Sequence, residues 1–318
     1  MDDLDRKLLQ ALQLDGRAPF SRLASVLGVS DQTVARRFRR LETEVGLRVL
    51  GMPDESRLGR SNWQVRLLCT PGEAGAIADA LAARPDMTYV ALLSGGAEVV
   101  GVLKPRSTRD RDELLLGQLR DFPGVVGVTA YNLLHRFFGG RLGWLRKIDA
   151  LTPAEEVALR PPIPAEPGNR VTLDAADEAL LAALAEDGRA PLAALQKASG
   201  QSEEVVRRRL ERLQGGGVLY FDVQYSPELM GLHAGAMLWM SVAPPALSVV
   251  GAALAGHREI EFVAATTGPA NIVAAVRCRD DEELFVYLND KIGALEQVHR
   301  IETGFMLRQI KRLTRPAR

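Results

Sequence analysis

The sequence predicts an α+β protein in which two helix-turn-helix units, winged or simple, alternate with two βαββαβ units. Three observations carry this reading. The chain repeats itself: DGRAP at 15–19 returns at 187–191, an offset of 172, at which Gly28 also meets Gly200 and Arg36, Arg37 and Arg40 meet Arg208, Arg209 and Arg212. Each copy opens on helical periodicity with a glycine turn before an arginine-rich helix. Each then passes into short runs of β-branched and aromatic residues separated by helical stretches.

In the first copy, Leu4, Leu8, Leu9 and Leu12 form one helical stripe over 4–14, with Asp2 and Asp3 available to cap it and Gly16 to stop it. Pro19 suits the first turn of a second helix with Leu23, Ala24 and Leu27 inward, and Gly28 gives the following tight turn. Ser30 is the expected N-cap of a third helix that buries Val34, Phe38, Leu41 and Val45. Two short helices joined this way, with small Ala24 where they must approach, make a helix-turn-helix. Its outward face, with Ser30 at the tip, then offers Ser30, Gln32, Thr33, Arg36, Arg37 and Arg40 to double-stranded DNA, N-terminal residues to base edges and arginines to bases or phosphates. A solvated arginine-rich face is the alternative.

Strands are expected at 64–69, 88–93, 98–103 and 125–134 with helices at 73–83 and 110–119, the order of a ferredoxin-like split unit. The second copy repeats it at 235–242, 246–255, 260–267, 271–277, 281–292 and 298–310, now at offset 173. The expected domains are helix-turn-helix 1 at 1–60, βαββαβ 1 at 61–150, a Pro-rich, semi-rigid linker at 151–172, helix-turn-helix 2 at 173–225 and βαββαβ 2 at 226–318.

Net charge is zero over 318 residues, so only the distribution of charge points to nucleic acid. The acidic N-terminus does not read as a secretory signal, and no apolar run approaches the roughly 18–20 residues of a membrane span. Cys69 and Cys278 read as reduced core thiols, which with the missing signal suggests a cytoplasmic protein without metal or cofactor. Trp144 is expected to anchor the linker or an oligomer contact.

LDRKLLQALQLDGRAPFSRLASVLGVS with the following RRFRRLE, then SPELMGL at 226–232 and TTGPANIVAAV at 266–276, resembles the leucine-responsive regulator and AsnC family of bacterial transcription factors, here in duplicate. The resemblance implies an ACT-like, amino-acid-sensing βαββαβ domain, association into homo-oligomers through those domains, and an effector pocket using a Gly-x-x-Asp turn between the second and third strands of the unit. Both copies depart from that pattern: Gly95 is followed by Gly96, Ala97 and Glu98, and Gly268 by Pro269, Ala270 and Asn271. Ser94, Gly95, Gly96, Glu98, Thr267, Gly268 and Asn271 are the candidate effector residues, with plain glycine hairpin turns as the alternative.

Fusing two modules makes their pairing intramolecular and lets the heads diverge. Gln196 replaces Ala24, Ser199 replaces Leu27, and Glu204 and Val205 replace Gln32 and Thr33, so the first head is expected to dominate DNA affinity while the second contributes weakly or reads a different half-site. Glu204 repels phosphates unless it accepts from a cytosine amino group, while Arg208, Arg209 and Arg212 retain phosphate-binding capacity. Two alternatives stand beside a regulator. Some tandem proteins resembling this architecture decarboxylate siroheme through histidines and arginines, although His135, His233, His257 and His299 lie outside the turns and no catalytic spacing stands out. The other is an adaptor with degenerate heads.

Overall fold

The computed structural model describes residues 1–141, 143–160, 171–313 and 315–316. The first copy runs α1 (Asp3–Leu14), α2 (Phe20–Leu27), α3 (Asp31–Glu44), β1 (Arg48–Pro53), β2 (Asn62–Cys69), α4 (Ala74–Ala83), β3 (Met87–Leu93) and β4 (Glu98–Leu103). It continues with α5 (Thr108–Glu113), a π-helical turn at Leu114–Gln118, α6 (Leu119–Asp121), β5 (Val125–Phe138) and α7 (Pro153–Leu159). The second runs α8 (Ala175–Glu186), α9 (Leu192–Ser199), α10 (Glu203–Gly215), β6 (Leu219–Gln224), β7 (Ala234–Val242), α11 (Leu247–Gly256), β8 (Ile260–Thr266) and β9 (Ile272–Cys278). It ends with α12 (Asp281–Val286), a second π-helical turn at Tyr287–Ile292, β10 (Val298–Arg312) and β11 (Arg315–Pro316).

Like packs with like: Met1–Gly59 with Gly140–Ser226 forms one compact unit holding both heads, and Arg60–Gly139 with Pro227–Arg318 forms the other, holding both βαββαβ halves.

In the head unit, β1 pairs antiparallel with β6, Val49 opposite Val223 and Met52 opposite Tyr220. The strand after the third helix of each head therefore joins the other head instead of folding into a wing, which corrects the winged option. Pairing satisfies the backbone edge of each short strand, while α8 packs on β1 and α1 on β6, with Leu50, Met52 and Leu219 buried. The DGRAP repeat supplies a second tie. Arg17 donates to the carbonyls of Gly188 (2.6 Å) and Ala190 (3.0 Å), and Arg189 donates to those of Gly16 (2.7 Å) and Ala18 (3.0 Å). Gly16 lies beyond the end of α1, which stops at Leu14 with Asp15 as C-cap, so it does not itself end the helix. It is needed for close approach: a Cβ there would stand 2.6 Å from Phe221 Cβ and 2.8 Å from Val49 Cγ1.

The expected linker is helical over its first part. Thr152 and Glu155 form a capping box with Pro153 in the first turn, and α7 packs on α1 and α2. Lys7 pairs with Glu155 (3.0 Å), and Gln10 donates to Glu156 (2.9 Å) while accepting from the backbone of Ala150 and Leu151. The prolines at 161–167 lie outside the described residues. Trp144 stacks on Tyr225 with ring centroids 6.1 Å apart, inside the head unit.

In the sheet unit, β10 pairs with both β3 and β7, so β10, β3, β4, β2, β5, β8, β9 and β7 close into an antiparallel ring, with β11 beside β10. Alternation fixes the two faces. Val65, Leu67, Val90, Leu92, Val99 and Leu103 pack with Ile77 and Leu81 of α4. The opposite face turns Ala91, Leu93, Val100 and Tyr131 onto Met237, Trp239, Val273 and Met306 of the other half. No helix among the described residues is long and apolar enough to cross a membrane.

Candidate nucleic-acid interface

Gly28 ends α2 in the left-handed conformation (φ 67°), turning the chain so that Ser30 caps α3 by accepting from the Thr33 N–H at 3.1 Å. The Ser30 and Thr33 hydroxyls also meet at 2.9 Å, so both candidates belong first to the cap. Val34, Phe38 and Leu41 point inward, and the Phe38 ring packs on Phe20 at 5.3 Å. That phase leaves Gln32, Arg36 and Arg39 exposed.

Helical phase separates the arginines into two kinds. Arg37 and Arg40 turn back onto α1, where Arg37 binds Asp2 and Asp5 (3.0 Å to Asp5 Oδ1) and Arg40 binds the other oxygen of Asp5. Asp5 is fully buried, so its two guanidiniums are the partners that make an interior carboxylate tolerable. Arg37 in turn holds the Asp2 carboxyl below the usual range. Arg39, not among the sequence candidates, is exposed beside Arg36; neither forms an ion pair among the described residues. The 3.6-residue period already contained that signal.

The second head repeats the inner half of this arrangement and alters the outer half. Arg209 binds Asp174 (2.8 Å) and Asp177 (2.8 Å), and Arg212 binds Asp177. Arg208 and Glu204 face solvent as expected. Glu203 captures Arg207 at 2.6 Å, and Glu211 stands where the first head has Arg39. Val205 has no hydroxyl, and its N–H meets the cap Ser202 at a long 3.5 Å.

The candidate effector turns lie in the sheet unit. Ser94, Gly95 and Gly96 all take positive φ (47°, 75° and 79°). Glu98 is bound by Arg66 (2.8 Å), which also takes Glu302 and lies over the Trp239 ring at 4.2 Å. On the second turn Thr267 Oγ1 accepts from the Asn132 N–H (3.0 Å), and Gly268 (φ 103°) sits against the Tyr131 ring. Burial raises the Tyr131 hydroxyl pKa and the nearby Arg66 charge opposes that rise, so one cluster joins Glu98 to the second turn. Asn271 is committed to β7: its Nδ2 donates to Val242 O (2.7 Å) and its Oδ1 accepts from Val242 N–H (2.8 Å). Glu98 thus already holds a guanidinium and Asn271 a strand backbone.

His135, His233 and His299 are exposed and far apart in the sequence, while His257 Nδ1 meets the Tyr287 hydroxyl at 3.1 Å. Cys69 and Cys278 are buried, and burial pushes the Cys278 thiol up to about 12. No group of three or more potential metal ligands occurs among the described residues.

The profile of the AsnC-type helix-turn-helix domain matches residues 1–42 and again 173–214, and that of the Lrp/AsnC ligand binding domain matches 235–316. The HTH-type transcriptional regulator FL11 of Pyrococcus horikoshii is 33% identical over 146 residues, 46% of this chain and 96% of FL11. The HTH-type transcriptional regulator LrpA of the same organism is 27% identical over 143 residues, 44% of this chain and 99% of LrpA. Over the whole chain the fold is similar to that of the siroheme decarboxylase NirDL, with a TM-score of 0.65, 18% identity and coverage of 99% of this chain and 94% of NirDL. Two copies of the helix-turn-helix match, one match to the ligand binding domain and a relative aligned along almost its full length place this chain in the Lrp/AsnC family, as a tandem form of its module.

Proposed function

We propose that this chain is a sequence-specific, DNA-binding transcriptional regulator, a covalent pseudo-dimer that answers to a small molecule, an amino acid or a related compound. The observation that carries the reading is the exposed, unpaired row Gln32, Arg36 and Arg39 on a helix whose cap, preceding turn and buried face are all formed. A helix of this kind enters the major groove with its N-terminal residues on base edges. The names of FL11 and LrpA support the same reading. An amino-acid ligand bound through its ammonium group at Glu98 would have to displace Arg66, which couples occupancy of the turn to the contact between the two halves. Selection from a pool of random duplexes tests the assignment. Enrichment of a defined, asymmetric site is expected; an unenriched pool contradicts it.

Whole-chain fold similarity to a siroheme decarboxylase favours a second reading, a tetrapyrrole-processing enzyme. Where the two halves meet, Trp239, Tyr131, Met237 and Met306 pack as one cluster of side chains. A haem-like ligand there would have to expel an indole that is 2% exposed.

A further inference from the structure

Building on the regulator reading, we infer that Arg36 and Arg39 are the phosphate-contacting pair of the first head, that Arg37 and Arg40 make no DNA contact, and that the glutamate at 211 withdraws the second head from the DNA backbone.

The argument is one of availability. A guanidinium contributes to DNA affinity by neutralising a phosphate and releasing its counterions. Arg37 and Arg40 already neutralise Asp2 and the buried Asp5, and leaving for a phosphate would strand a carboxylate inside the head. Arg36 and Arg39, three residues apart on one exposed face, have no such partner to abandon. The same lock recurs in the second head through Arg209, Arg212 and Asp177, so both copies use these arginines to attach the recognition helix to the first helix. The copies differ only outside the lock. Position 39 becomes Glu211, position 32 becomes Glu204, and Arg207 is taken by Glu203, so Arg208 is the one outward arginine of α10 without an acidic partner among the described residues. A single phosphate contact flanked by two exposed carboxylates gives the second head little hold on DNA.

The test is the slope of log affinity against log salt for the full-length protein on duplex DNA, each phosphate contact contributing about 0.9. Arg36→Gln with Arg39→Gln is expected to flatten the slope by about 2. Asp5→Asn with Arg37→Gln and Arg40→Gln, which removes the buried carboxylate charge together with its partners, is expected to leave it unchanged. Glu211→Arg is expected to steepen it by about 1. An unchanged slope in the first variant overturns the inference, as does a flattening of about 2 in the second. Should the second variant fail to fold, the first decides alone, because both of its positions are exposed. DNA binding without sequence preference would contradict the regulator reading yet still yield a slope for the arginines; no binding at all by the unaltered chain removes both.

Discussion

Arg66 and Trp239 stand at the same position in the two copies, 173 residues apart, and they meet, the guanidinium carbon lying 4.2 Å from the indole centroid. Their equivalence follows from register: Arg66 lies opposite Val100 and Thr129, Trp239 opposite Val273 and Glu302. A pair of identical halves would bring two arginines or two indoles together here. Divergence of the copies has made the contact one between unlike residues, with Gln64 accepting from Trp239 Nε1 at 3.0 Å.

Trp239→Phe should therefore cost more than its change in size suggests. It leaves the Oε1 of Gln64, a residue 1% exposed, without its donor, a loss of about 1–3 kcal/mol. Trp239→Ala should cost about 3–5 kcal/mol by opening the packing between the halves. Urea denaturation measures both, and a neutral Trp239→Phe would contradict the assigned hydrogen bond.

Acid should loosen both units through their paired carboxylates. Arg37 holds Asp2, Arg66 holds Glu302, and the backbone N–H of Asp177 with Arg209 holds Asp174, each below its ordinary value of 3.8 for Asp or 4.5 for Glu. On acidification the unfolded chain takes up these protons before the folded one does. The stability they contribute is complete above about pH 4.5 and lost as pH falls through the folded values. Arg66→Met should remove the Glu302 share, giving a shallower loss of melting temperature below that pH than the unaltered chain shows.

Arg17 and Arg189 form the same two carbonyl bonds in opposite directions, yet they are not equal. Arg189 also lies over Phe20 at 4.7 Å and Phe38 at 5.4 Å. Each bond from a charged donor is worth about 1.5–3 kcal/mol, and the aromatic contacts add about 0.5–1 kcal/mol or more. Arg189→Ala should destabilise the head unit more than Arg17→Ala in chemical denaturation; the reverse order would contradict the stacking.

Two glycines of the first head should fail for different reasons. Gly16→Ala forces a methyl into Phe221 and Val49, an overpacking of about 1–3 kcal/mol. Gly28→Ala meets no neighbour within 4 Å but must hold a left-handed φ of 67°, costing about 1–2 kcal/mol. Gly28→Asn, which tolerates that conformation, should recover part of the second loss and has no counterpart at position 16. Thermal melts of the three variants check this.

Much of this architecture could be read from the chain because its signals are local. Gly28, Gly200, Ser30 and Ser202 mark the turns and caps, and strand periodicity locates β2 to β5 and β7 to β10. Strands β1 and β6 carry little local signal because each is short and finds its partner in the other copy. Helix α7 carried a readable signal, Thr152-Pro153-x-Glu155, that the neighbouring prolines obscured. At the candidate interface, helical phase alone separates Arg36 and Arg39 from Arg37 and Arg40. That the second pair is held by Asp5 depends on tertiary packing no spacing reveals. The same holds for Glu98 and Asn271, whose partners Arg66 and Val242 come from other strands.

The most direct test of a DNA-reading function is a parallel titration of one preparation with its own upstream duplex against scrambled competitor, at two salt concentrations, and with an iron tetrapyrrole followed by absorbance. The account predicts preferential DNA binding that weakens steeply with salt and no change in the tetrapyrrole spectrum. A shifted tetrapyrrole band with no preference for the upstream duplex would contradict it.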